Sequence, residues 1–201
     1  MEVAEALRRR RMVRAYDPGR LVPADLVDAV CAAALRAPSA GFTQGVSLLV
    51  AGTAESRAAF WAATADRESA WLRGMRSAPM LIMLWTSRQA YLDRYAEPDK
   101  GWSDRDPERW SAPYWYVDGG MAGMAALVTA VDSGLGACFF GIPAERVDRV
   151  RRRFDVPADQ LSVGVISLGY PVPAPALGSL TRRARKATEE LLHRETWNSP
   201  T

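Results

Sequence analysis

The stretch Pro113–Gly136, PYWYVDGGMAGMAALVTAVDSGLG, constrains the fold more than any other part of the chain. Pro113 opens a helix and the glycines at 134 and 136 end it. The helix is apolar nearly all round, so it must be buried nearly all round. A chain of 201 residues is short of material to cover every side of such a helix. An obligate homodimer is therefore expected, with a second copy supplying the missing cover. Gly119, Gly120 and Gly123 flatten one side, where a second helix could approach closely.

The remaining elements are shorter. Val3–Arg9 reads as a short amphipathic helix. Pro23 opens a second helix with Leu26, Val27, Val30, Cys31, Ala34 and Leu35 as its apolar face. Thr53 caps a third that continues past Phe60 and Trp61 towards Trp71 and Leu72, and Pro143–Phe154 is a further helix. Strands are expected at Val46–Ala51, Met80–Trp85, Ala137–Phe140 and Leu161–Tyr170. Met80–Trp85 is apolar throughout and reads as buried on both faces. Helices alternating with strands give a three-layer pattern around one sheet. Residues 87–115 are polar, rich in Asp, Arg and aromatic rings, and too short to own a core. They are an excursion of a single domain, 1–201, whose C-terminal tail is 171–201. The excursion's rings suit either a lid over a planar ligand or a satellite core of their own.

Composition excludes several classes. Hydrophobic residues make up 48%, charged residues 24%, and the net charge is +3. That charge is too mild to demand nucleic acid, and aromatic rings are not interleaved with the arginines. No apolar run approaches the ~18 residues of a membrane span, and no leader pattern opens the chain, so a cytoplasmic place is expected. Cys31 and Cys138 form no metal or redox motif and read as buried thiols of a reducing compartment.

Chemistry-bearing side chains are sparse. The one histidine, His193, lies in the tail. Metal-ligand spacing, a Ser-His-Asp set, a P-loop and a dinucleotide fingerprint are all missing. No catalytic side chain and no metal ligand is assigned, so any reactivity is expected to be borrowed from a cofactor. Two basic clusters, Arg10-Arg11 with Arg14, and Arg182, Arg183, Arg185 with Lys186, could converge on one phosphate. They could equally be two solvated basic stretches. Between Arg36 and Val50, the small turn APSAG lets backbone N–H groups approach a flat ligand, and Gln44 adds donor and acceptor. An ordinary helix-to-strand connection is the competing reading of that turn.

Taken in order, these motifs resemble the nitroreductase family. Its members open with R-R-S-x-R-x-F/Y, matched here by Arg10, Arg11, Met12, Val13, Arg14, Ala15 and Tyr16. The family's A-P-S-x-x-N-x-Q-P-W is matched by Ala37-Pro38-Ser39-Ala40-Gly41-Phe42-Thr43-Gln44-Gly45-Val46. Gly134-Leu135-Gly136, Phe139-Phe140-Gly141 and Leu168-Gly169-Tyr170-Pro171 follow in family order, and the tail's ELLHRETW looks actinobacterial. The resemblance implies an α+β fold, three-layer α/β/α, with a central mixed but mainly antiparallel sheet, dimeric, and with FMN at the subunit interface. It implies that Arg10, Arg11 and Arg14 hold phosphate, ribityl and pyrimidine oxygens, with the backbone of Met12 nearby. Arg183 and Arg185 would complete the phosphate site. Pro38, Ser39 and Gln44 would come from the other subunit and pack on the isoalloxazine, and Phe140 and Gly141 would turn backbone N–H groups to its reactive edge.

The activity so implied is hydride transfer from NADH or NADPH, through flavin, to a small planar electron acceptor such as a nitroaromatic or quinone. Two departures from the family pattern leave rivals open. Met12 stands where the family has Ser, and Phe42 where it has Asn. Phe42 is either an aromatic wall of the pocket or a core residue beside the first strand. These departures support a non-catalytic flavin-binding or storage protein as one alternative, and the actinobacterial look of the tail suggests a deazaflavin-linked reductase as the other.

Overall fold

The computed structural model describes residues 1–173 and 184–197. Four strands form one sheet: β1 (Val46–Ala51), β2 (Met80–Ser87), β3 (Gly136–Phe140) and β4 (Gln160–Gly169). Their spatial order is β1-β2-β4-β3, and every neighbouring pair is antiparallel. Among the described residues the parallel component of the expected mixed sheet is one isolated bridge, between Met12 and Ala137.

The α-helices are α1 (Val3–Arg9), α2 (Ala24–Leu35), α3 (Ala54–Thr64), α4 (Ala70–Arg76), α5 (Arg88–Tyr95), α6 (Tyr114–Asp132) and α7 (Val147–Arg153). Alternation along β2 explains the three layers. Ile82 and Leu84 join Ile166 and Leu168 under α2 and α6. Leu81, Met83 and Trp85 join Val165 on the opposite face, against Phe60, Trp61, Leu72 and Met75 of α3 and α4. Both faces of β2 are therefore buried, which is why its sequence is an unbroken apolar run rather than an alternation.

The helix expected to run from Thr53 to Leu72 breaks in two. Thr53 and Ser56 cap α3 reciprocally. After Thr64 the chain turns extended at Ala65, and Ser69 caps α4 by accepting from the Leu72 N–H at 3.0 Å. The polar run Asp66–Ser69 has no apolar face to bury, so the second cap wins over continuation. At 143–153 the first turn, Ala144–Arg146, is a 3-10 turn that leads into α7.

On α6 the residues Asp118, Gly119, Ala122, Gly123, Ala126, Leu127 and Ala130 face inward and are buried. The glycine face meets the sheet, not a second helix. A Cβ at Gly119 would lie 2.8 Å from Val163, and one at Gly123 would lie 3.1 Å from Phe139, while Gly120 faces open space. A sheet face is flatter than a helix, so two small residues let α6 lie directly on it. The outer face stays apolar and exposed: Tyr114, Val117, Met121 and Met124 are 37%, 43%, 37% and 39% accessible. Within one chain the sheet, α2 and α1 cover most of the helix, and its N-terminal half keeps this one apolar stripe exposed.

The rings of the excursion pack on one another, as both the lid and the satellite-core readings allow. Trp110 lies 4.3 Å from Tyr95, 5.4 Å from Trp102 and 5.5 Å from Tyr114, ring centre to ring centre. Tyr91 and Trp115 close the cluster at 6.1 and 6.2 Å from Trp110. The rings pack edge to face and tilted, the arrangement their quadrupoles favour. Both cysteines are free, but only Cys138 is buried; Cys31 is partly accessible on α2.

Candidate functional site

The arginine segment is an extended arm laid along the outer edge of the sheet. α1 ends at Arg9, and Arg10 already has extended backbone. The Val13 N–H donates to the Ala137 carbonyl at 2.9 Å. The Phe139 N–H donates to Met12 Sδ at 3.4 Å, so the Met12 side chain is engaged with β3. Gly136 makes the approach possible, because a Cβ there would sit 2.9 Å from the Val13 methyls. Gly74 does the same from the other side, since its Cβ would lie 2.1 Å from the Arg14 carbonyl oxygen.

Tyr16 fastens the end of the arm. Its hydroxyl donates to the Val13 carbonyl at 2.6 Å and lies 2.7 Å from Ser167 Oγ. Its own N–H donates to Ser77 Oγ at 2.9 Å. The ring is 1% exposed, and burial pushes the Tyr16 phenol well above its ordinary range.

This arm places Arg10, Arg11 and Arg14 beside β3. Arg8 and Arg9 pair with Glu5. Arg10, Arg11 and Arg14 have no carboxylate partner among the described residues, and Arg10 Nη1 is buried with no acceptor. An unpartnered buried guanidinium donor is costly in isolation and fits an anion such as a phosphate. Arg14 approaches Cys138, where its charge partly offsets the upward push of burial on the thiol. Phe140, at the end of β3, stacks on Trp61 at 5.7 Å and meets the edge of Trp71 at 5.6 Å. With the ring so held, Gly141 is exposed and a Cβ there would meet nothing within 4 Å. Arg185 is exposed, and Arg183 lies outside the described residues together with Arg182.

The second group is the turn before β1. Gly41, Phe42 and Gln44 have φ of +62°, +56° and +56°. Two of the three are not glycine, so the turn is strained and must be held by its surroundings. Ser39 Oγ accepts from the Gln44 N–H at 2.9 Å. Arg94 Nε donates to the Gly41 carbonyl at 2.8 Å, and Arg94 is gripped by both oxygens of Asp99. Phe42 is 76% exposed, which removes its reading as a core residue. Pro38, Ser39 and Gln44 line a cleft of about 210 Å³ between the turn, α2 and α6.

Sequence reasoning missed Asp118 and Tyr91. Asp118 is 2% exposed, and its Oδ2 accepts from the Ala40 N–H and the Tyr91 hydroxyl, both at 2.8 Å. The available signal was a carboxylate set within the apolar run of the helix, away from its end. Burial, with the Asp118 hydrogen bond and charge, pushes the Tyr91 phenol up.

The two groups do not meet in one chain. The arm lies along β3 and the turn leads into β1, and these are the opposite edges of the sheet. Four strand spacings of ~4.8 Å, from the arm across β3, β4 and β2 to β1, put them roughly 19 Å apart across the sheet. No hydrogen bond or ion pair joins them among the described residues.

Residues 7–170 match the family model described as Nitroreductase family. A protein from Methanothermobacter thermautotrophicus provisionally named NADH dehydrogenase/NAD(P)H nitroreductase is 28% identical over 199 residues, covering 98% of this chain and 88% of its own. A provisionally described nitroreductase from Desulfovibrio desulfuricans, solved in complex with FMN, superposes with a TM-score of 0.73 at 21% identity, over 98% of both chains. A nitroreductase family protein from Streptococcus pneumoniae superposes with a TM-score of 0.74 at 17% identity, over 96% of this chain and 100% of that one.

Proposed function

The chain belongs to the nitroreductase family, and on that premise we propose that it is an FMN-dependent oxidoreductase of a single domain, 1–201. Electrons come from NADH or NADPH and go to a small planar acceptor, a nitroaromatic or a quinone. When bound, FMN would supply the hydride chemistry, and the proposal assigns no proton-transfer side chain.

The observation that carries this reading is the arm against β3. It gathers Arg10, Arg11 and Arg14, leaves them without carboxylates, and buries one guanidinium N–H of Arg10 with no acceptor. Arg10 and Arg14 hold the phosphate, with Arg183 and Arg185 of the tail completing its cover, and Arg11 and the Met12 backbone lie nearby. Phe140 and Gly141 offer backbone N–H groups at the open end of β3. Pro38, Ser39 and Gln44 pack on the flavin ring from a second copy, since the opposite sheet edges keep them away from the arm of their own chain. The homodimer also covers the exposed stripe Tyr114, Val117, Met121 and Met124 of α6. Among the described residues no helix is long and apolar enough to cross a membrane; the proposed place is the cytoplasm, and the proposed partners include no membrane and no nucleic acid.

The test is the absorbance spectrum of the purified protein with its flavin stoichiometry, followed by NADH and NADPH oxidation with a quinone or nitroarene. An oxidised-flavin spectrum, one flavin per chain and turnover are expected. A colourless protein that takes up no added FMN overturns the reading. A deazaflavin spectrum, or bound flavin without turnover, replaces it with the corresponding rival.

A further inference from the structure

We propose that the edge of β4 running past the end of β3 is a binding site for a small planar carboxamide. β3 ends at Phe140, opposite Val165. β4 begins at Gln160, so among the described residues its stretch 160–164 has no strand neighbour on that side. A pocket of about 290 Å³ lies there, room for a single ring with one substituent. Leu161, Ser162 and Val163 all line it, facing Gly141 and Ile142 of the chain leaving β3 and Val147 and Arg151 of α7. Side chains alternate between the two faces of a strand, so consecutive residues share a pocket when it lies along the strand's edge, where the backbone is.

The ladder shows which backbone groups face that edge. In an antiparallel strand each residue turns its N–H and carbonyl to one side, and neighbours alternate. The Ser87 N–H donates to the Gly45 carbonyl at 3.1 Å, on the β1 side. Trp85, two residues back along β2, therefore also turns to β1 and offers no bond to Ser162, its partner in the register. Gln160 agrees. Its N–H donates to the Pro157 carbonyl at 3.1 Å, and its carbonyl accepts from Arg151 Nη2 at 2.8 Å. Ser162, two residues on, turns its N–H and carbonyl the same way, to the side where Arg151 lines the pocket. The register then skips Val163, a bulge of the kind frequent beside binding sites.

A free N–H beside a free carbonyl calls for the complementary pair on one edge. A carboxamide carries that pair on a planar group, whereas a ketone or a carboxylate offers acceptors alone. Recognition of an amide by an open sheet edge is main-chain pairing on a small scale. Arg151 is the one charged residue lining the pocket, and Asp148 pairs with it, which favours a neutral ligand. Ile142, Val147, Leu161 and Val163 supply apolar walls for the ring. The pocket shares only Gly141 with the residues proposed above to hold FMN. Applied to the reaction, a step that rests on the reductase reading, it favours electron acceptors carrying a carboxamide over those carrying a ketone.

Benzamide and acetophenone share one shape and differ in the amide N–H, so they are the probes, titrated into the isotope-labelled full chain and followed by its amide resonances. Benzamide is expected to bind about fivefold or more tightly than acetophenone, the effect of one added hydrogen bond, and to move the Ser162 amide resonance. Equal affinities, or a Ser162 resonance that stays in place at saturation, overturn the proposal. Ala144 is exposed and lines the pocket. Ala144→Trp fills the space from its rim and is expected to weaken benzamide by roughly tenfold or more, and undiminished binding overturns the proposal. Ser162→Ala keeps both backbone groups and is expected to keep the affinity, whereas lost binding in a folded variant overturns recognition by the backbone. The flavin spectrum is read separately: a benzamide preference in a protein that binds no FMN keeps this site and removes the reductase reading, and the reverse result removes only the site.

Discussion

Tyr16→Phe tests whether the arginine arm is held by one buried hydroxyl. The ring is 1% exposed, so phenylalanine fills the same space and the change is confined to the oxygen. That oxygen contacts the Val13 carbonyl at 2.6 Å and Ser167 Oγ at 2.7 Å. Each bond contributes about 1 kcal/mol net, and a buried acceptor left alone costs about 1–3 kcal/mol. A loss of about 2 kcal/mol is expected, which for a chain of this size lowers Tm by roughly 4–8 °C. Differential scanning calorimetry at fixed protein concentration measures it. The pH profile gives a second reading. The phenol's folded pKa is raised above its unfolded value, so its contribution is complete below about pH 10 and is lost as pH rises beyond that. The parent should therefore lose stability steeply above about pH 10, and Tyr16→Phe less steeply. A Tm within 1 °C of the parent by calorimetry, roughly the shift from under 0.5 kcal/mol, together with an identical alkaline limb, would refute the argument that this hydroxyl fastens the arm.

Three further outcomes follow from the same geometry. Arg14→Ala is expected to weaken FMN binding by about 1.5–3 kcal/mol, the range for a hydrogen bond to a charged group, and an unchanged affinity by fluorescence titration would move the phosphate site elsewhere. Trp110→Ala opens the ring cluster and, on the satellite-core reading, should cost about 3 kcal/mol of stability, while relative use of one small and one large quinone stays constant. A shift in quinone preference with Tm unchanged would select the lid reading. Met121→Glu puts a charge in the exposed apolar stripe of α6 and should yield monomers in light scattering, whereas a dimer of undiminished stability would place the interface on another face.

Much of this architecture was legible before any coordinates. The unbroken apolar run Met80–Trp85 announced a central strand, because only a strand covered on both faces has no polar side to show. The apolar helix from Pro113 required cover nearly all round, and the sheet, α2 and α1 supply it except along the N-terminal stripe of Tyr114, Val117, Met121 and Met124. The order of the short motifs from Arg10 to Pro171 carried the family. Other features were invisible for a physical reason: they depend on what lies opposite in space. Whether Gly119 and Gly123 face a helix or a sheet is decided by Val163 and Phe139, distant in sequence. Asp118 drew no notice in the sequence, because its role rests on Ala40 and Tyr91, distant in the chain, which donate to it. The break between α3 and α4 turned on the Ser69 cap, a local bond that competes with continued helix by about 1 kcal/mol. Periodicity and residue type determine which surfaces must be hidden. Tertiary packing alone decides what hides them, and it is that choice which sets the arginine arm on one edge of the sheet and the strained turn on the other.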